Sequence, residues 1–150
     1  DGGIQVELWT DKGRNHDMLV FEQGERVQVY FRVNQPAFLQ LTYFLATGQK
    51  VLLEEEFYIG IDKVNRVVPL PYELEVVPPF GTERMVVTAY SERPPRPNVV
   101  PIEVEGEIYE GFADAAAVVA RTRGLRKPTQ AEDPRFGEAF LAMTTTRRAR

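Results

Sequence analysis

The 150-residue chain has no cysteine, which excludes disulfide bonds, thiol nucleophiles and cysteine-ligated metals. It has one histidine and one serine. His16 sits in the polar turn Asn15-His16-Asp17 and reads as a solvated loop residue rather than a general base. Ser91 precedes a proline-rich stretch and lacks the G-x-S-x-G elbow that exposes a serine nucleophile. No apolar run approaches the roughly 18 residues of a membrane-spanning helix, so no membrane span is expected. Phosphate-binding glycine loops are missing too: Gly2-Gly3 and Gly111 lie in neither a Walker nor a dinucleotide pattern. A basic face is not indicated either, because the formal charge is -4, which argues against nucleic acid as a partner. The expectation is a chain with no cofactor, no bound metal and no catalytic residue.

Acidic residues are plentiful, but their spacing does not make a cation site. Glu54-Glu55-Glu56 offers oxygens near Asp62, yet consecutive strand residues point to opposite faces, so the three cannot converge and read as a solvated rim. Asp11, Asn15 and Asp17 lack the glycine and the closing glutamate of a calcium loop.

What the chain does contain is a globular composition, 43% hydrophobic and 27% charged, at a length suited to one domain with one core. Charge is uneven: residues 96–120 hold one arginine and five acids, residues 121–150 eight basic residues and three acids. The first ninety residues alternate with period two between turn signals, the mark of half-buried strands. Ile4, Val6 and Leu8 share a face, as do Val27, Val29, Phe31 and Val33, with Tyr30 opposite them. Leu39, Leu41, Tyr43 and Leu45 form a third set, and Thr47-Gly48-Gln49 closes a hairpin into Lys50–Leu53. Residues 54–66 lose the period and read as a long loop, before short strands at Val67–Leu70, Glu73–Val77 and Glu83–Tyr90.

Between the last two strands, Pro78-Pro79-Phe80-Gly81-Thr82 reads as a corner. Proline cannot donate to a ladder, and Gly81 permits a backbone conformation that other residues resist. The prolines of 94–97 open a stiff connector, read over 94–107. Ile108, Phe112, Ala115, Ala116 and Val119 then fall at helical spacing, predicting a helix near 109–122, within 108–124, with Gly124 as its stop. Residues 136–147 read as a last strand, with a helix over Phe136–Met143 as the rival.

Several of these motifs together carry a resemblance. The Gly24-Glu25-Arg26-Val27 opening of an early strand, the Pro78-Pro79-Phe80-Gly81-Thr82-Glu83 corner, and the late Thr122-Arg123-Gly124 and Thr144-Thr145 pairs resemble an uncharacterised bacterial domain family of immunoglobulin-like sandwiches, over residues 4–147. Members occur in exported proteins and beside caspase-like peptidase or kinase modules. The resemblance therefore implies a periplasmic or cell-envelope location and an accessory role, with another protein or an attached domain as partner. It supplies no catalytic residues.

The expectation is a mainly β, immunoglobulin-like antiparallel sandwich of seven or eight strands, residues 1–93, with one C-terminal helix, acting as a non-enzymatic interaction module. Loops at one end, or an open strand edge, are the expected contact surface. Phe57, Tyr58 and Phe80 are its candidate binding residues, with Phe80 equally suited to plugging the core. Tyr30 belongs to a rival reading in which exposed aromatic rings hold a carbohydrate. A hydrolase centred on Glu56 and Asp62 is a second rival.

Overall fold

The computed structural model describes residues 3–14, 19–112 and 136–148. Twelve strands follow one another: β1 (Val6–Thr10), β2 (Val20–Glu22), β3 (Arg26–Val27), β4 (Val29–Val33), β5 (Ala37–Phe44), β6 (Lys50–Ile59), β7 (Val68–Pro69), β8 (Leu74–Glu75), β9 (Gly81–Tyr90), β10 (Val99–Val104), β11 (Glu107–Phe112) and β12 (Phe136–Thr146). They form a seven-stranded sheet in the order β10-β11-β6-β5-β9-β12-β2, a three-stranded sheet β1-β4-β7 and the small pair β3-β8. Every pairing is antiparallel except that of β12 with β2. The molecule is therefore mainly β, with its antiparallel sheets sharing one core.

Alternation decides which side chains enter that core. Along β9 the odd positions Glu83, Met85, Val87 and Ala89 are buried, while Thr82 and Arg84 face solvent. Leu39 and Leu41 of β5 and Leu141 of β12 stand on the same inner face, each fully buried. Val29, Phe31 and Val33 of β4 meet them from the three-stranded sheet in a single apolar cluster. Each large aliphatic or aromatic side chain buried in this way contributes about 1.5–3 kcal/mol relative to exposure.

Three expectations are corrected. Residues 54–59 belong to β6, and a single 3₁₀ turn at Ile61–Lys63 follows. The register against β5 shifts between Leu39 and Leu41 and again before Thr42, so β6 carries extra residues opposite one stretch of its partner. Such bulges erase the period-two signal without ending the strand. Second, β10 lies within the supposed connector 94–107. Val104-Glu105-Gly106-Glu107 turns it into β11, with positive φ at Glu105 (49°) and Gly106 (82°) as a twist-matched two-residue hairpin requires.

Third, the C-terminal helix is not found among the described residues. Positions 107–112 are strand, and the rest of its expected range lies outside the described residues. Its helical spacing was misleading because a hairpin near the sheet edge leaves Ile108 66% exposed, so apolar residues there need not alternate with polar ones. The late segment 136–147 forms β12 rather than the rival helix. The strand count of seven or eight was low because β2, β10 and β11 were not expected as strands and the chain breaks at Gln28 between β3 and β4.

Candidate functional site

At one end of the layers the sheets part over a cavity of about 280 Å³. Each contributing element reaches it where its strand starts or stops. The end of β5 supplies Tyr43, with Leu45 just beyond it, the start of β6 supplies Val51 and Leu53, and the start of β9 supplies Glu83 and Met85. The corner contributes Val76, Val77 and Pro78, and β12 ends there with Met143 and Thr145. The β10–β11 hairpin closes one side through Val104, Glu107 and Tyr109. The lining is mainly aliphatic with a few convergent polar groups, the usual make-up of a small binding site.

Glu83 is the polar centre of this end and is 5% exposed. The Tyr43 hydroxyl donates to its Oε1, and the Ala46 backbone N–H donates to Oε2 at 3.3 Å. Met143 Sδ lies 3.7 Å from the same hydroxyl. Burial pushes the Glu83 carboxyl above the usual carboxylate range, and the Tyr43 and Ala46 hydrogen bonds pull against that rise. Burial first, then the Glu83 charge and the shared hydrogen bond, raise the Tyr43 hydroxyl far above an ordinary phenol. Tyr43 therefore keeps its proton at neutral pH, which makes it a fixed donor rather than a base.

The corner is tied to the last strand at the same end. Gly81, at φ 146°, donates its N–H to the Thr145 hydroxyl at 3.1 Å, and a Cβ on Gly81 would stand 3.0 Å from that of Ala46. The peptide bond between Pro78 and Pro79 is cis. Two motifs far apart in the chain, the proline corner and the late threonine pair, thus form one joint. Gly24 joins it from the other side, donating its N–H to the Val76 carbonyl at 2.9 Å.

The four aromatic residues singled out from the sequence do not come together. Phe57 faces inward, its ring 6.0 Å from that of Phe31, and Phe80 is half-buried against the core in the corner. Tyr30 lies on the outer side of β4, stacked on Trp9 at 5.8 Å. Tyr58 alone is largely free, at 56% exposure, on the outer face of the seven-stranded sheet. The glutamates of β6 take separate partners: Glu54 accepts from the Tyr72 hydroxyl, while Glu55 and Glu56 pair with Arg96 and Arg93 at 3.8 and 3.3 Å. Among the described residues, no cluster of three His, Asp or Glu side chains is placed to hold a metal. His16 lies outside the described residues.

Register reveals what spacing alone did not. Tyr58, Phe38, Tyr90 and Phe136 stand directly opposite one another on four adjacent strands, forming an aromatic row across the outer face. Phe38 and Tyr58 are 4.7 Å apart between ring centroids, and Tyr90 and Phe136 are 6.3 Å apart and stacked.

Glu83 and Tyr43 were missed as a site. The signal was present in the alternation: Glu83 occupies the same parity as Met85, Val87 and Ala89, and a carboxylate on an apolar face needs a partner. Comparison with family models, curated proteins and solved structures gives no match for this chain.

Proposed function

We propose that the protein is a non-catalytic interaction module built on an immunoglobulin-like sandwich, and that it receives a side chain of a partner protein in the cavity at its corner end. The observation that carries this reading is the cavity itself, aliphatic walls around a buried, hydrogen-bonded carboxylate, at the end where strands begin and stop. A volume near 280 Å³ is at the lower limit for small-molecule sites and suits one side chain better than a cofactor. The edge strand β10, the alternative contact surface, carries Pro101, which removes a donor from the ladder that a partner strand would need. The motif resemblance supports placing the module in the envelope part of a bacterial protein.

Val77, 42% exposed at the cavity rim, provides the test. Peptides selected by display against the purified chain are expected to shift backbone resonances around Val76–Glu83 and Val104–Tyr109. Val77→Trp, which fills the mouth, should weaken them about tenfold or more, as losing a central pocket contact does. Peptides that map elsewhere, or that bind Val77→Trp unchanged, refute this reading.

The aromatic row favours a second reading, carbohydrate binding on the outer face, because a line of adjacent rings presents a platform to a sugar. Glycan-array binding that Tyr58→Ala abolishes and Val77→Trp leaves intact would replace the cavity reading with this one.

A further inference from the structure

Four carboxylates border the cavity: Glu73, Glu75, Glu83 and Glu107. Glu73 has Arg26 at 3.9 Å, but among the described residues no Lys or Arg pairs with the other three. Glu83 is the buried one, and its two oxygens each accept a single hydrogen bond, from Tyr43 and from Ala46. An ionised carboxylate has about four acceptor positions, so it can take further N–H donors beside these two. A carboxylate so placed in an aliphatic lining is stabilised by a cation that brings its own N–H groups.

We infer that the cavity selects an ammonium group on an unbranched aliphatic stem, the chemistry of a lysine side chain on a partner protein, with the ammonium at Glu83 and the stem along Met85, Met143 and Leu53. The inference rests on the cavity reading and names its ligand class. Thioether side chains adapt to a flexible stem better than branched ones. Charge complementarity between the acidic rim and a cationic side chain draws the partner in and disfavours an anion. Arginine fits less well. Its planar fork is wide and binds a carboxylate side-on through both oxygens, which a cavity of about 280 Å³ admits less readily than a compact ammonium.

The full chain titrated with n-butylammonium, n-propylguanidinium, n-butanol and butyrate, followed by backbone NMR, tests this. Butylammonium is expected to shift Tyr43, Glu83 and Thr145 and to bind about tenfold more tightly than butanol, about 1.4 kcal/mol. Propylguanidinium should bind more weakly than butylammonium, and butyrate should leave the cavity resonances in place. Glu83→Gln, which still accepts from Tyr43, should erase the preference of ammonium over butanol. Equal binding of butanol and butylammonium by the unaltered chain, or a preference that survives in Glu83→Gln, overturns the inference. If display-selected peptides nonetheless occupy the cavity without a lysine at the buried position, the interaction reading stands and only the ligand class falls. Peptides that avoid the cavity altogether remove both.

Discussion

Glu83 shows how one residue ties stability to binding. Its inward parity forces the carboxyl out of water, and burial raises its affinity for a proton in the folded state above that in the unfolded chain. The folded form then binds more protons than the unfolded form between the two pKa values, so unfolding free energy falls as pH rises through that window. The protein is therefore expected to gain stability as pH drops from neutral towards the ordinary glutamate range. Glu83→Gln should flatten that dependence while changing stability at neutral pH by no more than about 1 kcal/mol, since the hydrogen bond from Tyr43 is kept. Urea midpoints of both proteins across this pH range check it; an unaltered slope in the variant would mean that another group carries the dependence.

Strand parity is the element-scale fact on which the core rests, and β12 displays it most sharply. Leu141 is fully buried against Met85, whereas Phe140, the preceding residue, is 60% exposed on the outer face. Leu141→Ala is expected to cost about 2–5 kcal/mol, the usual range for a buried leucine. Phe140→Ala should cost within about 0.5–1 kcal/mol despite removing a larger side chain. Thermal or urea denaturation of both variants measures the contrast, and similar losses would mean that something covers the outer face. The same parity explains what could be read in advance. Val27, Val29, Phe31 and Val33 alternate without interruption, and all four are buried. Alternation failed at Glu54–Glu56, where the register shifts, and at Glu107–Phe112, where a sheet-edge hairpin relaxes the demand for it. The aromatic row was beyond one-dimensional reading, because Tyr58, Phe38, Tyr90 and Phe136 become neighbours only once four strands are aligned.

At the scale of the whole molecule, the two ends of the described chain hold each other. β12 pairs with β9 along its length and continues in parallel with β2, where Thr144 donates its N–H to Leu19 and Gln23 donates to Thr146. The segment before β1 lies across the start of β12, and only the lack of a side chain at Gly137 permits it: a Cβ there would stand 2.3 Å from the Ile4 carbonyl oxygen. Ile4 itself is buried in the core, and Gln5 is anchored on Asn34, donating its N–H to Oδ1 at 2.8 Å and accepting the Asn34 N–H at its carbonyl at 3.2 Å. Backbone, unlike the tip of a long side chain, cannot swing aside, so the clash must lift one segment off the other. Gly137→Ala is therefore expected to destabilise the protein by about 1–3 kcal/mol, the range for forced overpacking. Deleting residues 1–5 should also destabilise it, through the loss of Ile4. The two changes should not add, because the deletion removes the atom that the new methyl meets, and their coupling should recover most of the Gly137→Ala cost in a double-mutant cycle. Additive losses by urea denaturation would show instead that Gly137 is required by β12 itself and that the junction of the two ends does not govern how this sheet closes.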